Sequence, residues 1–450
     1  MHGKHDNRGL PQDLHQKVID HIASFPARES HYSCKKNNSR LYLEPTLSVK
    51  KMYDLFAATD PDAAQQIKYK FYLDVFNTKI NIAFGSPRTD KCDKCELMEA
   101  EIKQAKFSST KDSQIKEMEQ KKELHLAKAE CFYQQIRDVT ELVKSEPDQM
   151  AISIDYEKNH PLPVTNIGQE YYKRQLWVQT FGVHCLKTDS VCMFMYAEHF
   201  ALKGPNEVIS CLDWYIRNKA PPGVKTLHIF CDNCAGQNKN KFLWGFLESL
   251  VDSGQLSLVN VYYPVPGHSF MPCDRDFALI EKKKKRYEVV AKPSTWVDLV
   301  RSARMKNPFE VVYVQHPLTD DLQQDGTPVV QVKDFKSATA SFLQPVRGIS
   351  AARGLQISRT SLRVRKAMNE EPSIEIKLIR RGKKKQQLMA AIASAHPAYT
   401  RFVPIKGSKL KDVTALLEHV VLPTSCTFYK SLSEARVLGE EVESDYDEES

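Results

Sequence analysis

Residues 226–240, TLHIFCDNCAGQNKN, place an apolar run directly before an aspartate and a series of amide side chains. The run TLHIFC has the apolar content of a buried strand. The segment that follows, NKNKFLWGFLESLVDSG, has helical spacing and ends at Gly254. Asp232 therefore closes a predicted strand. Cys231 and Cys234 form a C-x-x-C pattern around it, so the stretch raises two candidate chemistries: a carboxylate site, and a redox or zinc site.

The segments before and after this stretch continue the alternation of strands and helices. Three strand-like runs come first and suggest an antiparallel meander, whereas the later strand–helix pairs suggest parallel strands. In chain order the additional segments are AISIDYE, QLWVQTFGVHCL, SVCMFMYAEH, the helix GPNEVISCLDWYIRNKA, the strand LSLVNVYYPVPG and the helix SFMPCDRDFALIEKKKKRYEVV. The order β-β-β-α-β-α-β-α is that of an RNase H-like domain. We therefore predict an α/β fold whose RNase H-like core, a mixed sheet, occupies residues 148–295.

The regions that flank this core differ from it in composition. Residues 1–147 are predicted to be helical, because they contain pieces such as LHQKVIDHIASF and LSVKKMYDLFAA. From KCDKCELMEAEIKQ onward, a charged run nearly free of Gly and Pro predicts one or two long helices. Residues 296–438 are predicted to form a mixed α/β region with basic patches, and residues 439–450 an acidic, disordered tail.

The overall composition is that of an ordinary soluble protein, with 42% apolar and 27% charged residues. No apolar stretch approaches the ~20 residues of a membrane span, and the polar N-terminus has no signal-peptide core. We therefore expect no membrane association and an intracellular, reducing location, where cysteines are thiols or zinc ligands.

The charge distribution favours a polyanionic partner. The net charge is +8, and basic residues cluster at 281–286 (EKKKKR) and 380–385 (RRGKKK). Such clusters suit nucleic acid. A solvated helix face, or a nuclear-import signal in RRGKKK, explains either cluster equally well. We expect a nuclear protein with DNA as its partner.

Carboxylates fall where an RNase H-like domain brings them together, on the first strand, at the end of the fourth strand and on the last helix. Asp155 lies on the first predicted strand, Asp232 closes the fourth, and Asp274 and Glu281 lie seven residues apart on one face of the last helix. Three such carboxylates can hold two Mg²⁺ ions for phosphodiester chemistry. Each aspartate alone is more often a cap or turn residue.

Three motifs together resemble a family of transposase-derived animal proteins that often carry a DDE-type, RNase H-like core. They are ISIDYEKNHPLP, FCDNCAGQNKN and GHSFMPCDRDFALIEK. The resemblance extends upstream to KCDKC and downstream to FYKSL, so it covers nearly the whole chain. It identifies the family better than an activity.

The resemblance implies a metal-dependent site for DNA strand cleavage and transfer, with Mg²⁺ or Mn²⁺ held by Asp155, Asp232 and Asp274. Glu281 is the rival for the third acid. A homo-oligomer is left open. Two other functions also remain open: a domesticated, non-catalytic protein that binds DNA or chromatin, and a metal-dependent nuclease that uses only water as its nucleophile.

Several polar residues near these acids are candidate DNA contacts or catalytic groups. His268, in the loop before the last helix, is a candidate proton shuttle to the leaving 3′-oxygen, with a loop hydrogen bond as the alternative. The candidate DNA-binding residues share an amide or ammonium group that can contact phosphate, and they are Asn233, Gln237, Asn238, Lys239, Lys282, Lys283, Lys284 and Lys285. For each of them, capping, turn formation or plain solvation is the alternative.

A second metal is predicted in the N-terminal region. Cys92 and Cys95, in K-C-D-K-C at a helix start, have the spacing of a zinc knuckle, and His125 is the best third ligand. The fourth ligand is open among Cys131, His31 and Cys34. We therefore expect a structural Zn²⁺, with two unligated thiols as the alternative.

Overall fold

The computed structural model describes residues 12–25, 28–29, 41–43, 47–84, 92–108, 111–316, 327–421 and 428–435. These residues form two compact units. The first unit runs to Leu126 and also contains Pro266–His268, and the second contains Ala127–Val265 and continues from Ser269. The predicted acidic tail at 439–450 lies outside the described residues, as do His31 and Cys34.

The first unit is mainly helical, as the sequence predicts. Its first four helices are α1 (Gln12–Ala23), α2 (Val49–Thr59), α3 (Pro61–Gln66) and α4 (Tyr69–Lys79). A small sheet contains β1 (Arg28–Glu29), β2 (Leu41–Leu43) and β3 (Ile82–Phe84), in that order. The buried side chains of Val18, Ile22, Met52, Phe56 and Tyr72 form its core.

The charged run that follows forms two helices, α5 (Asp93–Phe107) and α6 (Asp112–Ser145). This outcome matches the prediction of one or two long helices. The part of α6 after Leu126 belongs to the second unit, where Phe132, Val139 and Val143 are buried in an apolar cluster.

The second unit contains one mixed sheet of eleven strands. In chain order these strands are β4 (Gln149–Tyr156), β5 (His160–Leu162), β6 (Leu176–Cys185), β7 (Val191–Ala197), β8 (Thr226–Cys231), β9 (Leu258–Tyr262), β10 (Glu310–Gln315), β11 (Val329–Gln331), β12 (Gly354–Ser358), β13 (Leu362–Arg365) and β14 (Ile374–Glu375).

Helices of the second unit lie between these strands and after them. They are α7 (Pro205–Lys219), α8 (Lys241–Asp252), α9 (Pro272–Lys284), α10 (Pro293–Ser302), α11 (Phe335–Ala340), α12 (Lys385–Ala393), α13 (Gly407–Leu417) and α14 (Ser431–Glu434), with short 3₁₀ helices at Gly168–Tyr172, Ile349–Ala351 and Phe428–Lys430.

The centre of the sheet has the strand order β7-β6-β4-β8-β9. β4, β6 and β7 form an antiparallel meander, while β8 pairs parallel to β4 and β9 parallel to β8. The predicted order of strands and helices is therefore confirmed, with β5 as an additional short strand beside β6. Nearly every residue of these strands is buried, because helices cover the sheet.

Strands from the predicted C-terminal region complete the same sheet. β10 and β11 extend it beyond β7, and β12, β13 and β14 extend it beyond β9. No division between sheets therefore falls at 295–296, where the sequence analysis placed a domain boundary. Local patterns cannot show this, because the pairing joins segments far apart in the sequence.

No helix among the described residues has both the length and the apolar content needed to span a bilayer.

Candidate metal sites

Asp155 on β4 and Asp232, the residue directly after β8, lie beside each other at the end of two neighbouring parallel strands. β4 and β8 are in register with Ile154 opposite Cys231, so the next residues along the two strands are the two aspartates. Register partners on adjacent strands lie about 5 Å apart and point to the same face of the sheet. The sheet therefore brings together two carboxylates that are far apart in the sequence.

Asp274 reaches this face from the first turn of α9. The helix packs against β4 and β6, and Cys273 Sγ lies 3.1 Å from the carbonyl oxygen of Ser153 on β4. Asp274 Oδ2 accepts a hydrogen bond of 2.6 Å from the backbone N–H of Met271, which fixes the carboxylate at the helix start. The strand, the strand end and the helix each contribute one acid.

The electrostatics of Asp155 show that the three carboxylates interact. Burial is the largest cause that raises its pKa well above the ordinary value, and the negative charges of Asp232 and Asp274 raise it further. The ammonium of Lys203 opposes this effect. The three carboxylates therefore repel one another, and a bound cation would reduce that repulsion.

Lys203 is a site residue that the sequence analysis missed. Burial lowers its pKa to about 8, while the charges of Asp155 and Glu157 act in the opposite direction. Its Nζ lies 4.9 Å from the ring centroid of Tyr156. Nothing in the segment FALKGPNE distinguishes this lysine from a surface residue, since its position depends on the packing of the loop before α7.

Glu281 has a different environment from Asp274. Its carboxylate groups with Glu157 and His160, and one ligand atom from each of these three residues lies within 4.8 Å of the others. The three aspartates are not among the described clusters with such closely spaced ligand atoms. A pair of Mg²⁺ ions does not require all three carboxylates to lie within 4.8 Å of one another. The two ions are about 4 Å apart and each Mg–O bond is about 2 Å long, so ligands of different ions can be farther apart.

Most of the polar residues after Asp232 have partners within the protein. Asn238 Nδ2 donates to Asp232 Oδ1 at 2.5 Å, and Asn233 Nδ2 donates to the carbonyl oxygen of Pro264 at 2.7 Å. Asn240 accepts from two backbone N–H groups and caps α8. These amides support the position of Asp232, and their contacts to DNA stay a prediction.

Lys239 is buried, with 3% of its surface exposed. Its ammonium donates to Asn233 Oδ1 at 2.9 Å and to the carbonyl oxygens of Ser350 and Ala352 at 2.9 and 2.7 Å. This burial corrects the expectation that Lys239 contacts DNA, because the ammonium is already bonded inside the protein.

The lysines at the end of α9 are more accessible. Lys282 and Lys285 are exposed, whereas Lys283 and Lys284 are partly buried. Lys284 lies 3.6 Å from Glu281 and 5.6 Å from the centroid of the Trp296 ring. Gln237 is also partly exposed. The DNA contacts of these residues stay a prediction.

The first unit contains a second group of candidate ligands, Cys92, Cys95, His125 and His268, whose ligand atoms all lie within 4.8 Å of one another. Cys92 Sγ is 3.3 Å from His125 Nε2, and Cys95 Sγ is 3.3 Å from His268 Nε2. The two Nε2 atoms are 3.1 Å apart. A tetrahedral Zn²⁺ with ordinary bond lengths separates such ligand atoms by roughly 3.3–3.8 Å. The two thiols and two imidazoles therefore fit one zinc ion.

The surrounding chain is built closely around these ligands. Gly267 has a φ of +80°, and a Cβ atom there would lie 2.6 Å from Cys92 Sγ. Only glycine combines this backbone conformation with so close an approach. Burial, and then the charge of Cys92, raise the pKa of Cys95 to about 12, so metal binding at this site must displace a proton from the thiol.

His268 supplies the fourth position of this group, which the sequence analysis assigned to Cys131, His31 or Cys34. Cys131 is partly exposed and packs against the apolar cluster of the second unit. The link from His268 to Cys92 and Cys95 spans more than 170 residues, so no local spacing signals it. The structure thus gives His268 a ligand position, and its predicted catalytic role stays a prediction.

The C-x-x-C pattern around Asp232 does not form a comparable group. Cys231 is fully buried in the apolar core of the sheet, whereas Cys234 is partly exposed. Burial raises the pKa of Cys231 well above its ordinary value, which opposes thiolate chemistry. Asp232 is therefore the more informative residue of the stretch.

Residues 170–360 match a domain of unknown function, DUF7869. The match runs from β6 to β12, so it includes Asp232 and Asp274 and begins after Asp155. No curated protein and no solved structure matches the chain.

Proposed function

We propose that this protein is a transposase-derived DNA-processing enzyme that cleaves and transfers DNA strands at Asp155, Asp232 and Asp274. The observation that carries the proposal is the convergence of three acids from β4, the end of β8 and the start of α9. The raised pKa of Asp155, with the charges of Asp232 and Asp274 among its causes, supports it. An RNase H-like domain places its acids on the same three elements.

The order and direction of the strands in the sheet also support an RNase H-like core. An antiparallel meander of β4, β6 and β7 is followed by β8 and β9, which run parallel to β4. The strand with the first acid is thus central, and its neighbour β8 carries the second. We propose this fold for the part of the sheet between β4 and α9.

The three aspartates offer only oxygen ligands, which suit Mg²⁺ or Mn²⁺. When bound, such ions supply an activated oxygen nucleophile and neutralise charge on the leaving oxygen of a phosphodiester. The chain itself orients the ligands, because Asn238 and the N–H of Cys234 both donate to Asp232 Oδ1. Lys203 adds a positive charge beside Asp155, where it can offset the charge of a phosphate.

The Cys92, Cys95, His125 and His268 group is proposed to hold a structural Zn²⁺. Four protein ligands leave no open coordination position, which is typical of structural rather than catalytic zinc. In this role His268 acts as a ligand and is not available as a proton shuttle. As a DNA-processing enzyme, the protein is also proposed to be nuclear and to contact DNA through Lys282 and Lys285.

The test uses the full chain with supercoiled plasmid and a labelled oligonucleotide that ends in a 3′-hydroxyl, with Mg²⁺ or Mn²⁺. We expect nicking of the plasmid and joining of the oligonucleotide to it. Both should be lost in Asp155→Asn, Asp232→Asn and Asp274→Asn. They should be kept in Asp148→Asn and Asp298→Asn, which make the same change at exposed positions.

The other outcomes identify other functions. Nicking without joining would contradict strand transfer and indicate a nuclease. DNA binding without either reaction, in a protein that still binds Mg²⁺, would contradict the enzymatic proposal and indicate a DNA-binding protein.

A further inference from the structure

A third cluster of metal-ligand side chains lies in the second unit, where Glu157, His160 and Glu281 meet. Glu157 follows β4, His160 begins β5, and Glu281 lies near the end of α9. One ligand atom from each lies within 4.8 Å of the others. Of these three residues, only Glu281 is a candidate from the sequence, as the rival of Asp274.

The buried polar atoms of this cluster lack hydrogen-bond partners. Glu157 is 3% exposed and His160 is 0% exposed. His160 Nε2 lies at ion-pair distance, 3.2 Å, from Glu157 Oε2. Within the part of the chain that the structure describes, no other hydrogen-bond partner reaches the carboxylate oxygens of Glu157 or the ring nitrogens of His160. Leaving a buried polar group unbonded costs about 1–3 kcal/mol, and more if it is charged. A cation bound by a Glu157 oxygen and by the unprotonated ring nitrogen of His160 would reduce that cost.

The surrounding residues fix the cluster while leaving one side accessible. The ring of His160 stacks on Trp296, with the centroids 4.6 Å apart, so its plane is set by packing. One oxygen of Glu281 is buried and has no hydrogen-bond partner, yet 42% of the side chain is exposed. The ammonium of Lys284 lies 3.6 Å from that carboxylate. Glu281 therefore marks an entry path from solvent.

We propose that Glu157, His160 and Glu281 bind one divalent first-row transition ion, of the Zn²⁺ or Mn²⁺ type. An imidazole nitrogen among the ligands disfavours Mg²⁺ and suits transition metals, whereas the two carboxylates suit either. Three protein ligands leave a coordination position for water or a substrate oxygen.

This site is distinct from the three-aspartate site and lies next to it, farther along the same strand and helix. Glu157 follows Asp155 by two residues along the strand direction, which is about 7 Å. Glu281 follows Asp274 by seven residues on the same face of α9, which is about 10 Å. The strand and the helix thus carry two successive layers of acids. The first layer has only oxygen ligands and the second includes a histidine, so the two layers select different metals.

The test is a titration of the full chain with Co²⁺, a spectroscopic substitute for Zn²⁺. The titrated chain carries Asp155→Asn and Asp232→Asn, which silences the aspartate site. Co²⁺ bound to Cys92 and Cys95 gives intense thiolate-to-metal absorption. We expect a further equivalent that gives only the weak visible bands of oxygen and nitrogen ligands.

That further equivalent should bind at least ~100-fold more weakly after Glu281→Gln, since even residues that only support ligands are worth 10–100-fold. Glu157→Gln should have the same effect. Glu288→Gln, the same change at an exposed position four residues after Lys284, should leave it unchanged. Because Glu281 is partly exposed, its variant is expected to fold even if the Glu157 variant does not.

Two results would overturn the proposal. One is a chain that binds Co²⁺ only with thiolate absorption. The other is a further equivalent that Glu281→Gln leaves unchanged, which would make Glu157 and His160 an internal ion pair. Neither result depends on DNA cleavage, so the failure of this site and the failure of the proposed function are distinguishable.

Discussion

The cysteine–histidine site of the first unit and the aspartate site of the second unit differ in their ligand atoms and in how tightly these are held. Cys92, Cys95, His125 and His268 bring four soft or intermediate ligands within 4.8 Å of one another. The aspartate site offers three hard oxygen ligands at the edge of a sheet. Under the proposed function, this difference separates a closed zinc site that stabilises the fold from an open site that binds substrate.

The two sites also differ in how their chain segments are combined. Asp155 lies on β4, Asp274 lies on α9, and Asp232 directly follows β8, so the register of β4 with β8 brings Asp155 and Asp232 together. The cysteine–histidine site instead joins two helices to the three-residue segment Pro266–His268, which packs as part of the first unit. Metal is therefore expected to matter most for folding at the first site and for chemistry at the second.

The largest expected effect is the loss of zinc from the cysteine–histidine site. Cys92→Ser removes one ligand and should release the metal, which lowers the stability of the first unit by several kcal/mol because structural zinc contributes directly to folding. Metal analysis and amide hydrogen exchange of α5 measure the two effects. Cys131→Ser, the same change at a cysteine outside the site, is the control. Equal zinc content in both variants would show that Cys92 is not a zinc ligand, and the contrast between the two sites would then be wrong.

Substitution of His268 tests whether this residue belongs to the cysteine–histidine site or acts at the aspartate site. We expect His268→Asn to weaken zinc binding at least ~100-fold, since it removes a direct ligand. Competition with a zinc chelator measures this affinity. If zinc binding is unchanged while Mg²⁺-dependent DNA nicking is lost, His268 is the catalytic proton shuttle after all.

The third acid of the aspartate site is tested by two variants of α9. Asp274→Asn should reduce Mg²⁺-dependent nicking at least ~100-fold, because it removes a direct metal ligand. Glu281→Gln should reduce it less than ~10-fold, since Glu281 groups with Glu157 and His160. Single-turnover rates measure both effects. The reverse order of effects would make Glu281 the third acid.

Stability at different pH tests the charge repulsion at Asp155. Its raised pKa means that the folded chain holds this proton where the unfolded chain has released it, so stability falls as pH rises from about 4 through the raised value. Without added Mg²⁺, Asp155→Asn should therefore raise the free energy of unfolding by ~1 kcal/mol at pH 7.

Urea unfolding at several pH values measures this gain, which should shrink as the pH approaches 4. Asp148→Asn, at an exposed position, should show no such trend. A gain for Asp155→Asn that is the same at every pH would argue against repulsion among the three aspartates.

The smallest effect concerns the exposed lysines that follow the aspartate site on α9. Lys282→Gln with Lys285→Gln should lower the slope of log affinity for DNA against log salt by about 2, because each phosphate contact contributes about 0.9. Lys225→Gln with Lys336→Gln, also exposed, is the matched control. An unchanged slope would mean that these lysines are only solvated.

The sequence predicts the centre of the sheet because its signals are local. Apolar runs such as TLHIFC, with the helices between them, suffice for the order of elements and the antiparallel meander. The placement of β12 beside β9, with Leu355 opposite Val261, depends on pairing between distant segments and has no local signal.

In the candidate sites, too, local motifs can be predicted from the sequence and contacts between distant segments cannot. Cys92 and Cys95 are visible as a short motif, whereas His268 becomes a candidate ligand only through the fold. Lys203 lies in a loop, and only packing brings it close to Asp155. Glu157 and His160 meet Glu281 only because α9 packs against β4. Lys239 shows the opposite error, since a lysine in a polar run was expected at the surface and is buried.

The most direct test of the central claim is a calorimetric titration of the full chain with Mg²⁺. Mg²⁺ selects oxygen ligands, so it reports on the aspartates rather than on the sites that contain histidine. We predict Mg²⁺ binding that is lost in Asp155→Asn/Asp232→Asn and kept in the matched pair Asp148→Asn/Asp298→Asn. Absence of Mg²⁺ binding in the unchanged chain, or equal binding in both double variants, would contradict it.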